Sequence, residues 1–321
     1  MSPVSFGLAL VSRGEGDPAT APYPNHKLLL SDAVKAEEVG LDSVWVPDHF
    51  YFERPFGIET MPDVWTLLTA IGMRTERVKL GTSVLAATFR HPALLAKMAG
   101  ALQELTDGRV ILGLGAGNQT HEHNAFNLPF ATRIGSFKEY VPILMALLRG
   151  ETVTADGRYF TMREATLRTY VPPVPVWIAS GGAQMLELTA RYAHGWNAPG
   201  VGWSTDAYTS KYDALVHACR AVGRDPKELQ TSVLQFLSVA PDAATAKLIA
   251  EELAERNKTT VEELQQRTAV GTPDQIADRI RPFLSLGIDH FFFSVQRTAH
   301  LSSHAEGIEL LGREVLPLLR D

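Results

Sequence analysis

Eight short, nearly continuous apolar runs recur along the chain, and each leads into a stretch with helical spacing. The runs are VSFGLALV (4–11), SVWVPDH (43–49), VKLGTSVL (78–85), RVILGLGA (109–116), PVWIASGG (175–182), WNAP (196–199), LQTSVLQFLSVA (229–240) and HFFFSVQ (290–296). A strand with one face in water alternates apolar and polar residues. An unbroken apolar run is buried on both faces, as in a parallel sheet covered by helices. The stretches between read as helices over 26–40, 61–75, 91–106, 133–150, 183–195, 205–223, 272–287 and 303–320, with a further helical segment over 242–268. Gly40 and Gly150 sit where helices stop, and Pro92 and Thr272-Pro273 sit where they begin, the expected asymmetry of helix ends.

Eight buried strands alternating with helices predict an α/β fold, a (β/α)8 TIM barrel, with 1–321 as a single domain. The segment 151–173 interrupts the alternation. Its ADG (155–157) lies between two β-rich runs and predicts a hairpin excursion after the fourth unit. A doubly wound open sheet would need a glycine fingerprint opening a helix after the first strand. SRGEGDP (12–18) does not supply one.

The net charge of −6, with no run of like charges, argues against a nucleic-acid partner. The lone cysteine, Cys219, rules out an internal disulfide and a thiolate zinc cluster. No apolar run approaches a membrane span, and the first residues lack the basic start of a signal peptide. A cytoplasmic protein is expected.

In such barrels the chemistry gathers where strands end, and that rule ranks the candidates. At 179–182, Ala179, Ser180, Gly181 and Gly182 separate a strand from a helix start, where backbone N–H groups can cradle an anion; a plain tight turn is the alternative. Around 115–118, Gly115, Ala116, Gly117 and Asn118 are small, which suits either a flat ligand or simple packing in a tapering barrel. They lack the third glycine and the following helix of a dinucleotide fingerprint. HEH (121–123) invites a zinc reading with His49 as third ligand, but strands five, six and eight bring no His or carboxylate to complete it, and solvated loop histidines or a substrate contact are favoured instead. No metal is expected, and neither a nucleophile elbow nor a phosphate-binding Walker loop is present. Asp48 and His49 end the second strand and run into Phe50, Tyr51 and Phe52. Turns favour Gly, Asn, Ser and Pro, so this composition points to a site, with His49 able to give or take a proton near neutral pH; the alternative is that Asp48 caps the next helix or pairs with an arginine and His49 is merely buried.

These segments together resemble the luciferase-like flavin and deazaflavin oxidoreductases, in particular their coenzyme F420-dependent branch. The resemblance rests on GLDSVWVPDHF (40–50), RVKLGTSVLAATFRHPALLAK (77–97), LTDGRVILGLGAGNQ (105–119), VPVWIASGGAQMLELTARYAHGW (174–196) and VGTPDQIADRIRPFLSLGIDHFFF (270–293). It implies an isoalloxazine-type ring across the strand ends, Asp48 and His49 at its polar edge, and His49 as the catalytic residue. It also implies a non-proline cis peptide between Ser83 and Val84, within a cofactor-binding stretch Ser83, Val84, Leu85 and Ala86. The turn Ala179 to Gly182 and the strand exit Ala198, Pro199 and Gly200 would hold the cofactor's phosphate, and Gly115 to Asn118 would reach the ribityl chain and ring edge. Flavin-dependent relatives often carry Glu-His-His where this chain has Asp48-His49, so F420 is favoured and FMN is the alternative. The sugar-phosphate dehydrogenases of the family place a glutamate where this chain has Asn118, and an asparagine where it has His121. Their reaction is therefore not carried over. With Phe50, Phe52, His121 and Trp203 as the pocket, the expected activity is hydride transfer between F420 and a small apolar or aromatic substrate. An FMN-dependent monooxygenase supplied by a partner reductase is the alternative, and a metal-dependent hydrolase or a non-catalytic flavin binder ranks lower. The family also implies a homodimer, and 62–74 and 94–105 are apolar enough to form it.

Overall fold

The computed structural model describes residues 4–11, 26–54, 57–168, 170 and 172–320. The SRGEGDP stretch (12–18) lies outside the described residues. Eight parallel strands close a barrel: β1 (Ser5–Ala9), β2 (Ser43–Val46), β3 (Lys79–Thr82), β4 (Val110–Gly115), β5 (Val176–Ala179), β6 (Gly195–Ala198), β7 (Gln230–Val239) and β8 (His290–Val295). Closure is explicit in the register, with Ser5 of β1 opposite His290 of β8 and Val176 of β5 opposite Leu112 of β4. Helices cover the outside. Outward residues such as Val44, Leu112, Ile178 and Phe293 join the large apolar layer beneath them.

The lower half of the barrel is filled by rings. Trp45 stacks on Phe292 with centroids 4.7 Å apart and tilts against Trp177 at 5.4 Å, and His290 meets Trp45 edge-on at 5.3 Å. Neighbouring strands make room with glycine. A Cβ on Gly81 would lie 2.3 Å from the Trp45 ring, and one on Gly195 would lie 2.6 Å from Trp177 Nε1. This plug is a floor, and the open space of the barrel sits above it at the strand C-termini.

The 151–173 excursion is a hairpin as expected, Val153–Asp156 pairing with Thr161–Ala165. Other local expectations change. A second, unexpected hairpin follows β2, with Tyr51–Arg54 pairing with Gly57–Thr60. The aromatic run after His49 is therefore partly a strand, which explains why turn-formers are missing. The stretch 242–268 is two helices, Ala243–Arg256 and Val261–Arg267. It leads into a short strand, Thr268–Gly271, that pairs with the upper end of β7. Residues 120–125, read from sequence as non-helical, form a short helix, Thr120–Ala125. No described helix is long and apolar enough to cross a membrane.

Candidate active site

Above the aromatic floor lies a cavity of about 390 Å³. Four strand exits and the loop after β3 build its walls. β2 contributes Asp48 and His49. β3 and its extension contribute Ser83, Val84, Leu85 and Ala86. β4 contributes Gly115, Ala116, Gly117 and Asn118, β5 contributes Ala179, Ser180 and Gly181, and β6 contributes Ala198, Pro199 and Gly200. The Ser83–Val84 peptide is cis. Gly182 stands one step back from the wall, as N-cap of the helix Ala183–Tyr192.

The polar side chains have defined partners. Asp48 is buried and takes three N–H donors: Arg90 Nη1 at 2.5 Å, Arg90 Nη2 at 3.1 Å and the Ala86 amide at 3.3 Å. Burial pushes its carboxyl upward from the ordinary range, against the pull of the Arg90 guanidinium. One result is mechanical, since Asp48 ties the segment after the cis peptide to the end of β2.

His49 is held by a residue that sequence reasoning missed. Its Nδ1 lies 2.8 Å from Glu122 Oε1, and Glu122 Oε2 accepts the Phe50 amide at 3.0 Å. Glu122 is only 1% exposed. A carboxylate can only accept, so Nδ1 carries the hydrogen and Nε2 is left as the basic nitrogen. Phe52 lies against the imidazole with ring centroids 4.5 Å apart. The short helix Thr120–Ala125 aims Glu122 inward, which is why its being helical matters.

The structure corrects other placements. His123 is fully buried, with Nδ1 at 2.7 Å from Gln119 O and Nε2 at 2.8 Å from Thr88 Oγ1, so both ring nitrogens are taken. Among the described residues no group of three His, Cys, Asp or Glu side chains could hold a metal ion. His121 stands beside Tyr51 at 5.3 Å, away from the cavity wall. Trp203 is not in the pocket. Its indole N–H donates to Phe236 O at 3.0 Å and its ring meets Phe283 edge-on, which fixes it among the outer helices. Ser180 lines the cavity, but its hydroxyl donates to Thr189 Oγ1 at 2.8 Å, because the Thr189 hydroxyl is committed to Met185 O. Phe50 stands at the rim, exposed and stacked on Phe126 at 4.2 Å.

The luciferase-like monooxygenase model matches residues 4–260. The chain belongs to this family. An F420-dependent glucose-6-phosphate dehydrogenase of Microbacterium testaceum is 32% identical over 99% of this chain and 98% of its own length. A 5,10-methylenetetrahydromethanopterin reductase of Methanolobus tindarius is 32% identical over 67% of this chain and 63% of its own. A solved structure of an F420-dependent secondary alcohol dehydrogenase superposes with a TM-score of 0.80 at 23% identity, covering 99% of this chain and 100% of that one. That last likeness concerns the fold.

Within this luciferase-like barrel, further wall residues escaped the sequence reading. Arg133 opens the helix Arg133–Leu148. Its Nε donates to Gly117 O at 3.1 Å, and its guanidinium lies 3.8 Å from the Phe130 ring centre. Ile134, Met185, Asn197, Leu234 and Phe292 complete the lining. The last three come from inside the barrel, and the period of two along β6, β7 and β8 was the signal that could have found them.

Proposed function

We propose that this chain is an F420-dependent oxidoreductase that moves a hydride between the deazaflavin and a small uncharged alcohol or carbonyl compound. The observation that carries this reading is His49: it lines the cavity with Nδ1 committed to the buried Glu122, in a chain whose full-length relatives are named for F420.

The donor set suits such a cofactor. The cavity meets the N-terminus of the ten-residue helix Ala183–Tyr192 at Gly181, where unpaired N–H groups and the positive dipole end favour a phosphate. Arg133 is the cationic side chain of the lining. With the Ser180 hydroxyl committed to Thr189, anion binding falls to backbone N–H groups and Arg133. Gly115 and Gly117 are glycine because a Cβ has no room there: it would come within 2.8 Å of Val84 at the first and of His123 Nε2 at the second, so this wall stays close-packed and thin beside the cavity. When bound, F420 supplies a two-electron hydride carrier.

The protein's own part is proton handling, orientation and exclusion of water. Alcohol oxidation releases one proton from the hydroxyl as the hydride leaves carbon. Nε2 of His49 takes that proton, and Glu122 faces the positive charge that results. In the reverse direction the same nitrogen returns it. Apart from Arg133, assigned to the cofactor's phosphate, the lining contains no Lys or Arg, and Phe50, Phe89 and Phe126 cluster beside His49 at the mouth, so an apolar or aromatic substrate fits better than a sugar phosphate.

Titrating the purified protein separately with F420 and FMN, followed by fluorescence quenching, tests the cofactor. Micromolar F420 binding is expected; FMN binding with none for F420 would favour the flavin monooxygenase instead. His49→Ala should lower turnover by about 10²- to 10⁴-fold, the usual worth of a general base, with F420 affinity largely retained. An unchanged rate would remove His49 from the reaction.

A further inference from the structure

Asn197 occupies the floor of the cavity, on β6 and pointing into the barrel, and it is 5% exposed. Its partner on the neighbouring strand is Ser232, directly opposite in the β6–β7 register. Ser232 Oγ lies 2.6 Å from Asn197 Oδ1, and Ser232 is fully buried. A hydroxyl has one hydrogen to give, and Ser232 has two acceptors in reach, Asn197 Oδ1 at 2.6 Å and Trp196 O at 3.2 Å; the shorter contact to Oδ1 takes it. That contact orients the amide and leaves its NH2 group on the other side. Asn197 Nδ2 is buried and has no hydrogen-bond partner in the protein.

Buried polar groups are satisfied in the great majority of cases, and an orphan at a cavity wall calls for a partner supplied from the cavity. The surroundings narrow what that partner is. Leu234 and Phe292 lie beside it in the lining, so the flanking surface is apolar and suits a flat ring. An NH2 group only donates, so the ligand atom is an acceptor. A ring edge carrying an oxygen, such as a pyrimidine carbonyl or a ring phenolate, meets both requirements.

We infer that Asn197, held by Ser232, is a cofactor-recognition residue that donates from Nδ2 to an oxygen on the ring of the bound cofactor. This rests on the deazaflavin reading for the cofactor's identity. The donor itself is a property of this chain's β6 and β7.

Two variants isolate the donor. Asn197→Asp keeps an acceptor for the Ser232 hydroxyl but replaces the NH2 by an oxygen. Asn197→Leu removes both polar atoms at similar size. Dissociation constants for F420 are measured by fluorescence, with circular dichroism and thermal unfolding as fold checks. In parallel, protein labelled with ¹⁵N at asparagine is followed by NMR during titration.

Folded Asn197→Asp is expected to bind F420 about 10- to 100-fold more weakly, as for a lost buried hydrogen bond facing a repulsive oxygen. Asn197→Leu should fall between it and wild type. The Asn197 side-chain amide resonance should move on adding F420. Ser232→Ala gives a second route should either variant fail to fold, and a smaller loss of affinity is expected from it.

Wild-type binding with affinities within twofold in the folded variants, or an unmoved amide resonance, would overturn the assignment of Asn197 alone and make a water its partner. Should the wild type bind FMN and not F420, the cofactor reading falls. The same variants are then titrated with FMN, whose ring also carries pyrimidine carbonyls. Binding of neither ring overturns both.

Discussion

Replacing Glu122 by glutamine tests the core of the mechanism with a minimal change of shape. The carboxylate serves two N–H donors at once, His49 Nδ1 at 2.8 Å and the Phe50 amide at 3.0 Å. A glutamine has one carbonyl oxygen and one NH2. Whichever way it turns, one of the two donors faces a donor. Losing a hydrogen bond to a charged acceptor at a buried position costs about 1.5 to 3 kcal/mol, so urea unfolding should show a deficit of that order. The imidazole has one escape, which is to change tautomer and accept from the new NH2 through Nδ1. Nε2 then carries the hydrogen and no longer takes a proton from substrate. Turnover should therefore fall by more than about tenfold, toward the 10²- to 10⁴-fold worth of the base itself. F420 affinity should be largely preserved, because Glu122 acts through His49. Single-turnover absorbance changes give the rate, fluorescence gives the affinity, and ¹⁵N NMR reports which nitrogen of His49 is protonated. Wild-type turnover in Glu122→Gln would refute the reasoning. So would a loss of affinity as large as the loss of rate.

Two further outcomes follow from the same geometry. His290 is buried in the aromatic floor, accepts at Nε2 from Ser43 Oγ at 2.7 Å, and has its pKa lowered by burial to about 3. The folded state thus holds His290 neutral, while the unfolded chain protonates it below its ordinary 6.5. Its contribution is complete above about pH 6.5 and is lost as pH falls toward 3, at up to about 1.4 kcal/mol per unit. His290→Gln keeps an acceptor for Ser43 and should flatten the fall in stability between pH 6.5 and 4.5; parallel curves for the two proteins would dismiss this account. Trp203→Phe should leave F420 affinity and turnover unchanged and cost about 1 kcal/mol through the lost bond to Phe236 O. A changed substrate preference would return Trp203 to the pocket.

The barrel was readable because its signals are local. An unbroken apolar run such as Val110–Gly115 announces two buried faces, and a capping pair such as Thr272-Pro273 marks a helix start within a few residues. Once eight strands are in order, closure puts their ends together, so 48–49, 83–86, 115–118, 179–181 and 198–200 meet without any long-range information. The small excursions were less legible. Tyr51–Arg54 and Thr268–Gly271 are four-residue strands, the first paired with Gly57–Thr60 just after it and the second with the distant end of β7. Four residues carry too little periodicity to declare themselves.

What the sequence by itself determined is therefore the frame, together with the residues that closure must bring to its rim. What only the tertiary structure decided is how side chains from different elements pair. Glu122 reaches His49 across 73 residues, Arg90 reaches Asp48 across 42, and Ser232 locks Asn197 across 35. Trp203 turns outward because Phe236 offers it a carbonyl, and Ser180 gives up its hydroxyl to Thr189. The physical reason is one of range. Backbone periodicity and caps act over a turn or two, whereas the direction and partner of a buried polar side chain are set by whichever strand or helix folding brings within three ångströms.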